Sequence, residues 1–367
     1  MTQITRSPLK YIQGSGELYR LGAYCRQIGA TSACAVVDPY ILSHYGDGIA
    51  RSFHEADLPL VQLEFKGECS LKQVEEIAAG LDPDATVIIV GIGGGKTLDT
   101  AKAVSHIANL PVIIVPTAAS TDAPCSAISV LHTEEGELDQ YLQLRRSPDI
   151  VVADVEIIAK APPRLLAAGM GDALSTYYEA RACRKSGAIT NAGGTGSIAA
   201  FALARACLDT LLAEGAEAMK DVRQGVVSPA VAHIVETNIY LSGTGFESGG
   251  LAAAHGIHNG LSVLEECRHM LHGEKVAFAT LVQLMLEQAP EDEISGVITF
   301  CRSVGLPVTL WEVGIAEPQE DRLRLAAVAS CSADSPIFNM PFPVSPEQVL
   351  EAIIAADRRG RESNKDC

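Results

Sequence analysis

The sequence predicts an N-terminal α/β domain with a Rossmann-like parallel sheet, followed by an all-α domain. In roughly the first 160 residues, continuous Val and Ile runs alternate with helix-like stretches, which is typical of a parallel sheet covered on both faces. After the Pro162-Pro163 pair, long helix-like segments follow and no such run recurs. A length of 367 residues suits two domains. We therefore expect an α/β nucleotide-binding domain at 1–162 and a helical domain at 163–367.

The elements of the first domain are predicted in chain order. Residues 34–38 (CAVVD) form an apolar run that ends in an acid, and residues 60–65 (LVQLEF) alternate as a strand does. Residues 68–81 indicate a helix, since Ser70 and Gln73 stand at capping-box spacing. The remaining predicted elements are a strand at 86–95, a helix at 96–108, a strand at 111–117 and a hairpin over 127–144 that turns near Glu135-Gly136.

The second domain is expected to consist of helices alone. Its predicted helices span roughly 163–184, 193–214, 228–243, 248–266, 271–289, 291–304, 320–331 and 345–360.

Composition limits the partners and the compartment. The chain has 28 Lys and Arg against 45 Asp and Glu, and a net charge of −17 disfavours nucleic acid or an anionic membrane as partner. The first residues do not resemble a signal peptide, and no apolar run reaches membrane-spanning length. The ten cysteines contain no C-x-x-C pair, so we expect reduced thiols in the cytoplasm. Cys125 is expected to be a packing residue and not a nucleophile.

A glycine-rich loop, GIGGGKT (91–97), joins a predicted strand to a predicted helix. This geometry directs backbone N–H groups and the positive end of a helix toward an anion. The loop is neither a Walker A loop nor a G-x-G-x-x-G fingerprint, because Val90 and Lys96 stand where these motifs require Gly. It therefore predicts a phosphate cradle of another α/β fold, with a purely structural glycine turn as the alternative.

Two polar features accompany this loop. Asp38 closes a predicted strand, where an acid suits the ribose hydroxyls of NAD and repels a 2′-phosphate. It precedes the loop, unlike the acid of the usual fingerprint, and a turn residue is the alternative. The segment 117–126 (TAASTDAPCS) follows another predicted strand, at the edge where ligands of open α/β sheets bind. Its hydroxyls and Asp122 suit a nucleotide and a polar substrate.

Four of the nine histidines fall within one short window, at positions 255, 258, 269 and 272. Imidazole is the commonest metal ligand and the usual proton carrier at physiological pH. The window therefore marks a candidate metal site, and hydrogen-bonded core histidines are the alternative.

Five segments of the chain together resemble the glycerol dehydrogenases of the metal-dependent (iron-containing) alcohol dehydrogenase superfamily. They are GIGGGKTLDTAKA, PTAASTDAPCSAISV, RLLAAGMGDALSTYYEARAC, GFESGGLAAAHGIHNGL and HGEKVAF. The resemblance runs in register from about residue 7 to SPEQVLEAIIAADRRG near the C-terminus. It implies the iron-containing alcohol dehydrogenase (dehydroquinate synthase-like) fold, with a metal in the cleft between the α/β and helical domains.

The resemblance implies one zinc ion per subunit, held by one Asp and two His. These correspond here to Asp172, His255 and His272, and three ligands with an open fourth position suit a catalytic zinc. Iron-binding relatives carry a fourth ligand, a His, where this chain has Thr176, which favours zinc.

The resemblance sorts the other two histidines of the window. His258 is expected to line the cleft as a hydrogen-bonding or proton-relay group, or else to be structural. His269 is expected to lie on a connecting loop without a direct role.

The resemblance also implies residues for NAD and for the polyol. Asp122 would contact the polyol and, with the three ligands, form the catalytic and substrate-binding set. Two departures are His132, where relatives carry Tyr, and NMPFPVSPEQ, where relatives carry a Gly-rich segment. The implied NAD-binding residues are Asp38, Gly93, Gly94, Gly95, Lys96, Thr117, Ser120, Ser126, Ile128 and His132.

The implied activity is reversible, zinc-dependent oxidation of glycerol and other small vicinal diols to dihydroxyacetone-type ketones, with hydride transfer to C4 of the nicotinamide of NAD. Relatives form large homo-oligomers, often octamers.

One alternative is a polyol-phosphate enzyme, such as glycerol-1-phosphate dehydrogenase or dehydroquinate synthase. It is disfavoured because Arg268 and Lys275 are the only bases near the ligands in sequence. The other alternative is a non-catalytic nucleotide- or metal-binding relative.

Overall fold

The computed structural model describes residues 2–82 and 87–363, which divide into two compact units. The first, here called the sheet unit, contains Arg6–Ala119 and Ala123–Ala161. The second, here called the helical unit, contains the other described residues, among them Ser120–Asp122.

The sheet unit is built on a parallel six-stranded sheet, as predicted. Its central strands are largely apolar, and every residue of β4, β5 and β8 is buried, which explains the continuous Val and Ile runs. The strand order in the sheet is β1-β8-β5-β4-β2-β3. The strands of the unit are β1 (Lys10–Gly14), β2 (Ser32–Val37), β3 (Leu60–Glu64), β4 (Val87–Gly93), β5 (Val112–Pro116), β6 (Ile128–His132), β7 (Leu138–Gln143) and β8 (Ile150–Asp154).

Strands β6 and β7 form the predicted antiparallel hairpin, separate from the main sheet. Gly136 lies in its turn with a φ of 86°, a conformation that glycine adopts without a steric penalty. Strand β1 is not evident from the sequence pattern, because it is an edge strand whose residues are half-buried or exposed.

Three helices of the sheet unit begin at a residue whose side chain caps them. Ser70 accepts a hydrogen bond from the backbone N–H of Gln73, as the capping-box spacing predicted. Asp38 and Asp154 cap two further helices in the same manner. The helices of the sheet unit are α1 (Leu21–Gln27), α2 (Pro39–Glu55), α3 (Leu71–Ala79), α4 (Gly95–Ala108) and α5 (Val155–Ala159).

The order in which successive strands are added to the sheet reverses between the neighbouring strands β2 and β4. From β2 the chain passes through α2 to β3 on one side, and from β4 it passes through α4 to β5 on the other. The carboxyl ends of β2 and β4 therefore flank a topological switch point, where open α/β sheets bind their ligands. Asp38 and the glycine loop stand at these two strand ends.

The helical unit contains helices and no β-strand among its described residues, as predicted. A π-helical turn at Thr237–Leu241 joins α8 to α9. No helix of the described chain is long and apolar enough to cross a membrane. The helices are α6 (Pro163–Ser186), α7 (Ile198–Arg223), α8 (Pro229–Glu236), α9 (Ser242–Gly249), α10 (Ala253–Leu261), α11 (His272–Leu286), α12 (Glu291–Val304), α13 (Glu320–Ser330) and α14 (Pro346–Glu362).

Three predicted helices were wrong in their bounds, and the one predicted at 228–243 continues through the π-helical turn to Gly249. The segment 248–266 is not one helix, because the chain breaks at Gly250, whose φ is 101°. A Cβ at this position would lie 2.7 Å from Cys183 Sγ, so the break also brings the backbone close to α6. The helix predicted at 193–214 instead begins after Ser197, which caps the N–H of Ala200, and continues to Arg223.

Candidate active site

Three residues far apart in sequence come together in the helical unit. Asp172 lies in α6, His255 in α10, and His272 is the first residue of α11. His272 Nε2 lies 3.1 Å from Asp172 Oδ1, and His255 Nε2 lies 3.6 Å from the same oxygen. One ligand atom from each residue lies within 4.8 Å of the other two, so the three can hold one metal ion.

Two glycines allow α11 to begin against α6. A Cβ on Gly273 would lie 1.7 Å from the carbonyl oxygen of Ala168, and a Cβ on Gly171 would lie 2.3 Å from the carbonyl oxygen of Gly273. A side chain at either position would push the two backbones apart. This close approach is what brings His272 within reach of Asp172.

Glu179 supports this ligand cluster, and the sequence analysis missed it. The side chain is fully buried, and one carboxylate oxygen accepts a hydrogen bond from His255 Nδ1 at 2.7 Å. Glu179 stands seven residues after Asp172, which places both carboxylates on one face of α6. This spacing was the signal that could have revealed it.

Opposite charges compensate one another in the cluster. Burial raises the pKa of Asp172, but the charges and hydrogen bonds of His272 and His255 lower it by more. The net result is a pKa well below the usual range of an aspartate. Burial lowers the pKa of His255, but Glu179 and Asp172 raise it well above its usual value. Two buried carboxyl groups around two imidazoles thus form an environment that stabilises a cation.

Asp122 adjoins the cluster. Its backbone N–H donates to Asp172 Oδ2 at 3.2 Å, and its side chain accepts from the Ser242 hydroxyl at 2.7 Å. The Ser242 oxygen in turn lies 2.8 Å from the Thr176 hydroxyl, which must donate to it. Burial, together with the negative charge of Asp172, raises the pKa of Asp122 well above its usual value. Asp122 therefore presents a buried polar group beside the candidate metal ligands.

The two remaining histidines of the window lie in different places. His258 is buried, its ring contacts that of His272 edge-on with centroids 4.2 Å apart, and its Nδ1 lies 3.0 Å from Asn259 Oδ1. His269 instead lines a groove with Trp311, and its carbonyl oxygen accepts from Arg164. The structure thus brings His258 to the cluster and leaves His269 outside it.

The glycine loop combines one tight position with two open ones. A Cβ on Gly93, whose φ is 156°, would lie 2.8 Å from Asp38 Cβ and 2.9 Å from Thr97 Oγ1. At Gly94 and Gly95 a Cβ would meet nothing within 4 Å. Helix α4 begins at Gly95 without a side-chain cap, so the N–H groups of its first turn can receive an anion.

The carboxyl ends of three adjacent strands carry candidate nucleotide contacts. Asp38 N–H donates to Ile92 O, and Thr117 N–H donates to Gly93 O, which fixes both residues against the glycine loop. Asp38 Oδ1 also caps α2. The residue therefore has a structural role at this turn in addition to its candidate role as a ribose ligand.

The other candidate NAD-binding residues are more dispersed. Ser126 is buried and donates to Ala123 O, while Ile128 and His132 begin and end β6. Among the described residues, His132 Nδ1 is buried without a hydrogen-bond partner. Ser120 is half-buried and belongs to the helical unit.

Lys96 and Cys125 complete the set of residues that the sequence singled out. Lys96 Nζ lies 2.5 Å from Glu68 Oε1. Cys125 is fully buried, in agreement with a packing residue.

Comparison with known proteins agrees with the resemblance. Residues 8–155 match the family model described as iron-containing alcohol dehydrogenase. A glycerol dehydrogenase of Citrobacter freundii is 49% identical over 362 residues, which cover 99% of each chain. The crystal structure of glycerol dehydrogenase from Schizosaccharomyces pombe superposes with a TM-score of 0.95 at 37% identity, and covers 100% of this chain and 93% of its own.

A probable glycerol dehydrogenase from Sinorhizobium meliloti 1021 superposes with a TM-score of 0.91 at 41% identity, over 98% of this chain and 100% of its own. Similarity of this extent covers both units and all the motifs named above. The chain belongs to the glycerol dehydrogenases of the iron-containing alcohol dehydrogenase superfamily.

Proposed function

We propose that this NAD-dependent alcohol dehydrogenase oxidises glycerol and other small vicinal diols to ketones, with zinc held by Asp172, His255 and His272. The observation that carries the proposal is the buried cluster of one carboxylate and two imidazoles beside a second carboxyl group, Asp122. The family gives the reaction class, and the cluster gives the place where the alcohol would react.

The geometry of the cluster fits zinc. Tetrahedral zinc with bonds of about 2.0–2.1 Å holds its ligand atoms about 3.3 Å apart. The distances from Asp172 Oδ1 to His272 Nε2 and His255 Nε2, 3.1 and 3.6 Å, are on either side of this value. Thr176 occupies the position of the fourth ligand in iron-binding relatives, and its hydroxyl is bound to Ser242. The donor set of this chain therefore favours zinc over iron.

The side chains around the zinc site would orient the substrate. Zinc bound there would act as a Lewis acid that lowers the pKa of a substrate hydroxyl. Asp122 would bind the neighbouring hydroxyl, because its buried carboxyl group lies beside the candidate ligands and the Ser242 hydroxyl occupies only its Oδ2. A mono-alcohol has no second hydroxyl to offer Asp122, so the zinc site and Asp122 together would select for diols.

NAD would bind at the switch point of the sheet unit. The uncapped first turn of α4 and Lys96 would bind the pyrophosphate, and Asp38 would bind the adenosine ribose. An acid at this place repels the 2′-phosphate of NADP, which favours NAD. The further contacts proposed along the nucleotide are Gly93, Gly94, Gly95, Thr117, Ser120, Ser126, Ile128 and His132.

A polyol phosphate is the second substrate class, and the side chains disfavour it. Lys275 donates to Ser262 Oγ and is half-buried, and burial lowers its pKa. A positive charge on Lys275 is therefore disfavoured by its burial, which weakens the case for a phosphorylated substrate. A homo-oligomer, an octamer by resemblance, is proposed as the assembled form.

An absorbance assay of NADH formation tests the substrate. We expect turnover of glycerol with NAD, slower turnover with NADP, and little turnover of glycerol 1-phosphate. Turnover of glycerol 1-phosphate in preference to glycerol would contradict the proposal, and absence of turnover with any polyol would favour the non-catalytic alternative.

A further inference from the structure

We propose that Glu179 is a positioning residue that presents His255 to the metal through Nε2 and anchors the start of α10. This inference rests on the proposed zinc function of Asp172, His255 and His272. Glu179 contributes no ligand atom to that cluster, yet its side chain is fully buried in α6. A carboxylate removed from water in this way is retained in a fold only when hydrogen bonds satisfy it.

Both oxygens of Glu179 are engaged by the first turn of α10. Oε1 accepts from the backbone N–H groups of Ala252 and His255, at 2.8 and 2.9 Å. Oε2 accepts from His255 Nδ1 at 2.7 Å. The two backbone N–H groups have no partner within α10, since the first N–H groups of any helix lack one. One carboxylate therefore binds the backbone and the ring of the same histidine.

This hydrogen bond selects one tautomer of the ring. A neutral imidazole carries hydrogen on one nitrogen and a lone pair on the other. Because Nδ1 donates to Glu179, the lone pair lies on Nε2, the nitrogen that lies 3.6 Å from Asp172 Oδ1. A carboxylate behind a metal-binding histidine also makes the ring a stronger ligand and fixes its orientation.

His272 provides an internal contrast. Its side chain is 36% exposed, whereas that of His255 is 13% exposed, and among the described residues no carboxylate is bonded to its Nδ1. The first turn of α11 is held instead by Glu274, which accepts from the N–H of Leu271. The two histidines of the cluster are thus positioned by different means, and only His255 depends on Glu179.

A second residue offers a matched control. Gln283 Oε1 accepts from the N–H of Ala254 at 2.9 Å, so it holds the same turn of α10 without contacting an imidazole. Removing this contact weakens the anchor of α10 and leaves the tautomer of His255 in place. A comparison of Glu179 with Gln283 therefore separates a role at the ring from a role in the helix.

The test is zinc affinity, measured by competition with a chromophoric chelator on the full-length protein. Glu179→Gln is expected to weaken zinc binding by roughly 10- to 100-fold. Gln283→Leu is expected to change it by less than about 3-fold, even where both variants lower the thermal midpoint. NAD affinity, followed by NADH fluorescence, is expected to stay unchanged in both. Wild-type zinc affinity in Glu179→Gln, or equal losses in the two variants, would overturn the inference.

Two further measurements keep the inference separate from the proposed function. If Asp172→Asn retains zinc, the proposed ligand cluster is wrong, whereas zinc loss in Asp172→Asn beside full affinity in Glu179→Gln contradicts the role of Glu179 alone. Should Glu179→Gln fail to fold, a crystal structure of the zinc-loaded wild type decides. We expect zinc on Nε2 of His255 and Glu179 on Nδ1. Zinc on Nδ1, or bound directly by Glu179, contradicts the inference.

Discussion

In the proposed function, the ligand cluster around Asp172 and the glycine loop around Gly93 would serve the same reaction with different parts of the polypeptide. The cluster consists of side chains, and its carboxylates are fully buried and hydrogen-bonded to imidazoles or to backbone N–H groups. The loop consists of backbone, and at Gly94 and Gly95 it leaves open space beside an uncapped helix. One site is defined by charge, and the other is defined by the absence of side chains.

This difference predicts which substitutions damage each site. A change of charge without a change of shape should disable the cluster, because its buried acids compensate the imidazoles. An added methyl group without a change of charge should disable the loop where the backbone is tight, and should be tolerated by the fold where the loop is open. Substitutions at Asp172, Asp122, Gly93 and Glu68 therefore distinguish the two sites.

Asp172→Asn should have the largest effect. It removes one ligand and the negative charge between two imidazoles, and we expect zinc affinity and glycerol turnover to fall by on the order of 100-fold or more. NAD affinity should stay within about 2-fold, because Asp172 belongs to the other unit. Asp209→Asn, which breaks an exposed ion pair with Arg205, is the control and should change neither quantity. Loss of NAD binding in Asp172→Asn would contradict the assignment of zinc and NAD to two separate sites.

Asp122→Ala should come next, and its effect should depend on the substrate. With glycerol the variant loses the group that would bind the second hydroxyl, which costs about 1–3 kcal/mol, or roughly 5- to 150-fold in kcat/KM. With a mono-alcohol the loss should be smaller. Zinc affinity provides the control, since Asp122 donates only its backbone N–H to Asp172, and alanine retains it. Equal losses with both substrates would argue against a role in diol binding.

Gly93→Ala tests the tight position of the loop. The added Cβ would lie 2.8 Å from Asp38 Cβ, so we expect NAD to bind roughly 10-fold more weakly and the protein to lose about 1–3 kcal/mol of stability. Gly95→Ala is the matched variant, since its Cβ meets nothing within 4 Å, and its thermal midpoint should equal that of the wild type. Zinc affinity should be unaltered in both. A stable Gly93→Ala protein with normal NAD affinity would contradict this account of the loop.

Glu68→Gln should have the smallest effect, and it should increase affinity. Lys96 Nζ is bonded to Glu68 Oε1, and an incoming pyrophosphate must replace this partner. Partly exposed ion pairs contribute little, so we expect NAD to bind about 2- to 5-fold more tightly, with the gain reduced at high salt. Glu134→Gln, which breaks the exposed pair with Lys72, is the control and should leave NAD affinity unchanged. Weaker NAD binding in Glu68→Gln would indicate that Glu68 supports the cofactor site.

The two sites also differ in how far sequence could predict them. The loop follows from local pattern, because a buried strand, three glycines and a helix start are consecutive in the chain. The cluster does not, because Asp172 lies far upstream of the histidines and joins them only through the approach of α6 to α11 at Gly171 and Gly273. The clustering of the histidines in one short window marked a candidate metal site, whereas the family resemblance supplied Asp172.

The same reasoning explains what the fold prediction missed. Buried Val and Ile runs marked the central strands, but β1 is an edge strand without such a run. The break in the predicted helix 248–266 depends on the conformation of Gly250, which helical periodicity does not record. Glu179 was missed because a carboxylate in a helix usually indicates a solvated face, although its spacing of seven residues from Asp172 places it on the same face of α6.

Removal of the metal tests the central claim most directly. The protein would be dialysed against a strong chelator, its metal content measured, and NADH formation from glycerol followed before and after stoichiometric zinc. We expect activity to vanish with the metal and to return at one zinc per subunit, while NAD binding is unchanged throughout. Undiminished glycerol oxidation by protein shown to be free of metal would contradict the assignment of Asp172, His255 and His272 as the catalytic zinc site.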